Sequence, residues 1–171
     1  MAQAVSVDGL AVTVGGLTRT ELVDRLRRHG VGLNAHAETL LAHAVFDGPI
    51  AARTVVVAER SVADLGFSEG SGLSGILAAA RQRGLLLCPL DTAPYLRLAM
   101  LGQSGSTDSV LSAGRAPQGS VTVASEPISD DDEVPKGFYL RVVDGQPWLR
   151  GYRCDDEHTW APEDRLVFAT A

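Results

Sequence analysis

The sequence predicts one α+β domain over residues 1–171, in which an N-terminal helical hairpin and one further helix pack on a mostly antiparallel sheet. Three observations predict this class. Capping residues precede apolar stripes of helical period, β-branched segments follow them, and Asp144-Gly145 marks a β-hairpin near the C-terminus. The 171 residues, 45% of them hydrophobic, are enough to bury one core.

Two helices open the chain, over residues 17–47. Thr18 and Glu21 have the spacing of a capping box, and Gly30 is placed to end the first helix. Asn34 is a suitable cap for the second helix. Its apolar stripe follows the i, i+3, i+4 rule and consists of Ala37, Leu40, Leu41, Ala44 and Val45. A short connection between them predicts a helical hairpin.

The α+β body occupies residues 52–171. Thr54–Glu59 is β-branched and predicts a strand, and Ser71 or Gly72 opens a third helix. Leu85–Leu87 and Tyr95–Leu101 are predicted to be extended, and they are separated by Pro89 and Pro94, which cannot donate to a ladder. The Gly-, Ser- and Ala-rich segment 102–119 is predicted to be a flexible loop or lid.

The C-terminal part is rich in strands. The predicted strands are Val121–Val123, Phe138–Val143, Trp148–Arg153 and Arg165–Thr170. Asp144-Gly145 is typical of a two-residue hairpin turn, which would pair Val143 with Gln146. We expect this hairpin to lie at the centre of the sheet.

One face of this hairpin alternates arginine with aromatic residues. It carries Tyr139, Arg141, Trp148, Arg150 and Tyr152, and Arg97 extends it if its strand lies alongside. Guanidinium groups bind anions and aromatic rings stack on planar groups, so the leading hypothesis is a domain that binds a small anionic or aromatic molecule. The alternative is structural, since cross-strand Arg–aromatic pairs also stabilise a sheet.

A second hypothesis is a cofactor-independent enzyme that acts on a small molecule, for instance in specialised metabolism. His158, Asp156, Glu126 or Tyr139 would supply the acid or base, and Arg141 or Arg150 would hold an anion. Cys154 and His158 are four residues apart, the kind of pair that an activated thiol needs. The sequence contains no Walker loop, dinucleotide fingerprint or Gly-x-Ser-x-Gly elbow.

A third hypothesis is a structural partner protein, with the helical hairpin as contact surface and a homodimer as one form. Duplex DNA is not an expected partner, because the start of the second helix lacks residues that read base edges. The net charge of −6 gives no uniform attraction to nucleic acid or anionic lipid. No apolar stretch approaches the roughly 18 residues of a membrane span, and no signal peptide is visible, so a cytoplasmic protein is expected.

No cofactor or metal is expected either. The two cysteines, Cys88 and Cys154, form neither a disulfide framework nor a zinc-type pair. The acidic run Asp130–Glu133 lacks the glycine pattern of a calcium loop. It is predicted to be a solvated turn.

Several short strings resemble a family of small uncharacterised bacterial proteins. They are Gly119–Ile128, Lys136–Arg141, Trp148–Tyr152 and Trp160–Phe168, and the start Leu17–Asn34 is compatible with the same family. The resemblance implies a bacterial origin. It implies no activity or site residue, so the function has to come from the residues themselves.

Overall fold

The computed structural model describes residues 7–48, 50–101, 119–155 and 157–171, so the predicted loop 102–119 lies, apart from Gly119, outside the described residues. The helices are α1 (Arg19–Arg28), α2 (Ala35–Leu41), α3 (Leu73–Gln82) and α4 (Thr92–Ala99). The strands are β1 (Ala11–Val14), β2 (Gly32–Leu33), β3 (Arg53–Ser61), β4 (Val121–Val123), β5 (Gly137–Val143), β6 (Gln146–Tyr152) and β7 (Arg165–Ala169). The α+β class is confirmed. No helix of these described ranges is long and apolar enough to cross a membrane.

The seven strands form one curled sheet in the order β1-β3-β7-β4-β5-β6-β2. The pairs are antiparallel except β4 with β7 and β2 with β6, so the sheet is mixed. Helix α4 contacts β1 as well as β5 and β6, which places it inside the curl. The expected central position of the β5–β6 hairpin is wrong, because β4 is the middle strand and only β2 lies beyond β6.

Side chains alternate between two cores on opposite faces of the sheet. On β3 and β7, Val57 and Val167 belong to one core, while Ala58 and Phe168 belong to the other. We call the first the inner face; α1, α2 and α4 pack on it. We call the second the outer face; α3 and Trp160 pack on it. Among the described residues, three α-helices therefore cover one face and one α-helix covers the other.

The first two helices begin where the sequence predicts. Thr18 Oγ1 accepts from the Glu21 backbone N–H at 3.2 Å, and the Glu21 carboxylate accepts from the Thr18 N–H at 3.3 Å. Asn34 Oδ1 accepts from the backbone N–H of Ala37 at 2.8 Å and from that of Gly151 at 2.9 Å. One side chain therefore both caps α2 and joins it to β6.

The prediction that the first two helices form a helical hairpin is wrong. The connection between α1 and α2 forms β2, which pairs in parallel with β6, and α2 packs on β6. Leu41, in the predicted contact stripe, is only 3% exposed and belongs to the chain's own inner core. Three of the five residues of the stripe, Ala37, Leu40 and Leu41, are therefore covered by the chain itself.

The prediction that Tyr95–Leu101 is extended is also wrong, because α4 includes most of this segment. Pro94 is the third residue of this helix, where a backbone N–H would have no partner within the helix. Ala93, Leu96 and Met100 are buried at helical spacing on the inner face. Arg97 consequently lies on a helix rather than on a strand beside the hairpin.

The β5–β6 hairpin has the register that the sequence predicts. Val143 pairs with Gln146, and Arg141 pairs with Trp148. Asp144 has φ 49° and Gly145 φ 80°, the positive values that this two-residue turn requires and that Asp and Gly tolerate best.

Candidate functional site

The predicted Arg/aromatic residues do not form one open surface. Tyr139, Trp148, Arg150 and Tyr152 are partly exposed on the outer side of the hairpin. Arg141, from the same side, is only 1% exposed, and Arg97 is fully buried on α4. A ligand on the surface therefore meets the aromatic members of the set and Arg150, but not the two buried arginines.

Arg97 joins α4 to the hairpin. Its Nη1 donates to the carbonyls of Arg141 and Trp148, both at 3.3 Å, and its Nη2 donates to the Met100 carbonyl. Burial lowers the pKa of Arg97 to about 10, still far above neutrality, so the group stays charged. These contacts assign it a structural role in place of the ligand-binding role that the sequence suggested.

Trp148 is packed by groups of the chain itself. The Arg150 guanidinium lies 4.3 Å from the centroid of its ring. On β2, a Cβ placed on Gly32 would lie 2.6 Å from the same ring, so the strand approaches it as closely as glycine allows. These contacts favour the structural interpretation, in which the Arg–aromatic pairs of this face stabilise the sheet.

Tyr152 and His158 both pack against Trp160. The Tyr152 and Trp160 rings meet edge to face at 5.6 Å, and the His158 and Trp160 rings at 5.8 Å. Burial raises the pKa of the Tyr152 hydroxyl, and the neighbouring Cys154 adds to the rise. The backbone N–H of His158 donates to the carboxylate of Asp155 at 2.9 Å.

The three predicted catalytic residues are not assembled by the described part of the chain. Asp156 lies outside the described residues. Glu126 lines a cleft on the outer face, whereas His158 is not among the residues that line it. Among the described residues, no group of three or more His, Cys, Asp or Glu side chains is arranged to hold a metal ion.

The cleft has a volume of about 390 Å³ and lies between α3 and the segments that follow β4 and β6. We call it the α3 cleft. Its lining residues are Leu73, Ser74, Leu77, Arg81, Glu126, Pro127, Asp130, Asp132, Lys136, Cys154 and Asp155. Leucines, a proline and a thiol thus share one cavity with charged side chains.

One wall of the α3 cleft is a single face of the helix. Leu73, Leu77 and Arg81 follow one another at intervals of four residues, so their side chains point in similar directions. Leu77 is buried, while Arg81 is largely exposed. The wall therefore runs from an apolar floor to a charged mouth.

The opposite wall is organised by Lys136, the only lysine in the chain. Its Nζ donates to the backbone carbonyls of Ser129 at 2.9 Å and Asp131 at 3.3 Å. The Lys136 backbone N–H donates to the carbonyl of Tyr152 at 2.7 Å. The acidic segment is thereby folded over one buried ammonium group, with Asp130 and Asp132 turned to the cleft.

An ion pair spans the mouth of the α3 cleft. Arg81 Nη2 on α3 lies 2.7 Å from Glu126 Oε2 on the segment after β4, and both side chains are more than half exposed. In this setting an ion pair contributes little to stability and breaks easily. It connects the two walls without closing the cavity permanently.

A second hollow, beside Tyr95 and Asp91, has a volume of only about 10 Å³. That is room for about one water molecule. The α3 cleft is the larger of these two spaces and the one with the size of a ligand site.

Of the residues that line the α3 cleft, sequence reasoning proposed Glu126 as an acid or base and considered Cys154 as a possible activated thiol. It treated the acidic run as a turn, Cys154 as a thiol beside His158, and α3 only as a packing helix. The interval of four from Leu73 to Arg81 identifies one helix face. Nothing local, however, indicates that residues between 126 and 155 lie opposite it.

Comparison with models of known families, with curated proteins and with solved structures found no match for this chain. The resemblance to small bacterial proteins therefore stays a prediction.

Proposed function

We propose that this chain is a small-molecule-binding domain and that its ligand occupies the α3 cleft. The observation that carries the proposal is the cavity itself, about 390 Å³ with an apolar floor and a charged rim. Ligand sites commonly have this volume range. Four apolar residues line the cleft together with seven polar or charged ones. The function class is the one expected from the sequence, at a different place on the molecule.

The position of the cleft in the fold supports the proposal. It opens on the outer face, where α3 is the one helix of the described chain that packs on the sheet. The floor is built from Leu77 of α3 and Cys154 after β6, both members of the outer core. A ligand there would extend an apolar core that the chain leaves accessible.

The test is a fragment screen by ligand-observed NMR on the wild-type chain and two tryptophan variants. Ser74→Trp places an indole in the cleft from an exposed position on α3. Ala78→Trp puts the same group on the same helix at an exposed position outside the lining. We expect fragments that bind the wild type and Ala78→Trp but bind Ser74→Trp at least about tenfold more weakly, because the indole fills their site.

Either of two results would overturn the proposal. One is a diverse library in which no fragment binds the wild type. The other is a set of fragments that Ser74→Trp and Ala78→Trp affect equally. Thermal melts of both variants show whether they are folded, which is expected because both positions are exposed.

The hairpin face is a second candidate for a planar ligand. Tyr139, Trp148 and Arg150 remain partly exposed there, which favours stacking over anion capture by the buried Arg141. Its test uses the same fragments. Binding that Trp148→Leu abolishes and Ser74→Trp leaves intact would place the ligand on the hairpin.

A further inference from the structure

The charge of the α3 cleft points to a class of ligand. Its lining carries four carboxylates, from Glu126, Asp130, Asp132 and Asp155, against two cations, Arg81 and Lys136. The formal charge of the lining is therefore −2 at neutral pH. An anionic ligand would enter against this charge, and a cationic one would enter with it.

Both cations of the cleft are already engaged. Lys136 is 7% exposed and directs its ammonium group to two backbone carbonyls, with an Asp132 oxygen 4.0 Å away. Arg81 is held by Glu126 at the mouth. An anion would have to displace these internal partners before either cation could bind it.

The carboxylates are more available than the cations. Asp130, Asp132 and Asp155 are exposed. Within the described ranges, Asp130 forms no ion pair, and the carboxylate of Asp155 receives hydrogen bonds from the backbone N–H groups of Glu157 and His158. All three residues line the cavity from the segments across from α3. They are placed to accept hydrogen bonds from an ammonium group.

The floor of the cleft defines the rest of the ligand. Leu73, Leu77, Pro127 and Cys154 offer apolar surface and no strong donor. A fully hydrated ion would leave this surface unused, whereas an apolar body would gain about 25 cal/mol for each Å² that it removes from water. The floor and rim together suit one molecule with an apolar part and a positive end.

We infer that the α3 cleft binds a small organic cation, an amine joined to an aromatic or branched aliphatic body. The inference rests on the proposed function, since it names the ligand class of the same site. The apolar body lies against Leu77 and Cys154, and the ammonium group lies among Asp130, Asp132 and Asp155. No bond is made or broken in this step.

The experiment compares three probes of one shape: 3-phenylpropylamine, 3-phenylpropan-1-ol and 3-phenylpropanoate. At low ionic strength we expect the amine to bind about tenfold more tightly than the alcohol, and the acid to bind more weakly than both. Raising the salt from about 20 mM to about 500 mM should weaken the amine most, because it screens exposed charges. Titration calorimetry or ligand-observed NMR gives the three affinities.

Matched variants separate the cleft from the overall charge of the chain. Asp130→Asn with Asp132→Asn removes two carboxylates of the rim, and Glu69→Gln with Glu163→Gln removes two exposed carboxylates elsewhere. We expect the first pair to weaken the amine about tenfold and to leave the alcohol unchanged. The second pair should change amine binding by less than about twofold.

The failures are distinguishable. If library fragments occupy the cleft but the amine binds no better than the alcohol or the acid, the cation inference is wrong and the proposed function stands. If both variant pairs weaken the amine equally, the attraction comes from the whole molecule and the inference is wrong. If neither the library nor any of the three probes binds, the proposed function is wrong as well.

Discussion

The inner and outer faces of the sheet are covered in different ways. The inner face lies under α1, α2 and α4, and Arg97 on α4 is buried there and donates to backbone carbonyls. The outer face is covered by α3, and there the arginine on that helix is exposed and holds one carboxylate. An arginine thus fastens α4 to the sheet on one face, whereas the arginine of α3 lines an accessible cavity on the other. We conclude that burial, rather than residue type, separates structural groups from candidate binding groups in this chain.

Removing the inner arginine should have the largest effect on stability. Arg97→Met keeps most of the side-chain volume but removes the donors to three buried carbonyls. We expect a loss of about 3 kcal/mol in the free energy of unfolding, since buried acceptors would be left without those charged donors. Arg81→Met on the outer face should cost less than about 0.5 kcal/mol, because its ion pair is exposed.

Urea unfolding followed by circular dichroism measures both variants. Equal losses for the two substitutions would contradict the distinction between the faces. A loss at Arg97 below about 0.5 kcal/mol would show that the carbonyls find other donors or water.

Each face contains one cysteine, so the reactivity of the two thiols shows how accessible each face is to a small reagent. Cys88 belongs to the inner core, and burial raises the pKa of its thiol to about 12. Cys154 is buried as well, with 9% of its surface exposed, but it lines the α3 cleft. We expect iodoacetamide to modify Cys154 at least about 100-fold faster than Cys88 in the folded chain near pH 8, because the thiolate is the reactive form.

Peptide mapping by mass spectrometry gives the two rates, and the same reaction in urea supplies the unfolded control. Similar rates in the folded chain would mean that the cleft does not admit a small reagent or that the inner face opens readily. A fragment that occupies the cleft should slow the modification of Cys154 alone.

Short sequence motifs correctly predicted the elements whose formation depends only on neighbouring residues. The Thr18–Glu21 capping box and the Asp144-Gly145 turn each require only neighbouring residues, and both are observed. The turn also fixed the hairpin register, because a two-residue loop leaves a single pairing. The strand pattern and the α+β class follow from the same kind of evidence.

Elements that depend on distant partners were missed. The two-residue strand β2 exists because β6 pairs with it, and its own sequence carries no strand pattern. For α4, the apolar residues Ala93, Leu96 and Met100 at helical spacing were a usable signal in the sequence. Pro94 was taken as a break between extended segments, although proline is tolerated in the first turn of a helix. The α3 cleft joins residues from 73 to 155, so no local pattern predicts it.

Two glycine-to-alanine substitutions compare how much space the two faces leave for an added methyl group. At Gly151, in β6, a Cβ would lie 2.7–2.9 Å from atoms of His36 and Ala37 at the start of α2. At Gly75, in α3, the one contact shorter than 3 Å is to the hydroxyl of Ser71, which can rotate away. We expect Gly151→Ala to cost about 2 kcal/mol, because backbone must move. Gly75→Ala should be neutral or stabilising by up to about 1 kcal/mol, because alanine favours a helix.

Thermal or urea unfolding of the two alanine variants decides this prediction. Destabilisation of the same size at both positions would show that α3 is packed as tightly as α2. The α3 cleft would then have less freedom to accommodate a ligand than the exposed mouth suggests.

The smallest expected effect depends on pH and concerns the turn that leads from β3 towards α3. The backbone N–H of Ser61, and next its hydroxyl, lower the pKa of the Asp64 carboxylate below its ordinary value of 3.8. A carboxylate whose pKa is lowered by folding adds stability above its unfolded pKa, and that stability is lost as the pH falls through the folded pKa. Asp64→Asn should therefore cost less than about 1 kcal/mol at pH 7, because the group is exposed and screened, and the difference should shrink below about pH 3.8. Urea unfolding of both proteins at pH 7 and at pH 3 measures it, and a difference that stays constant or grows in acid would show that the carboxylate charge does not stabilise the turn.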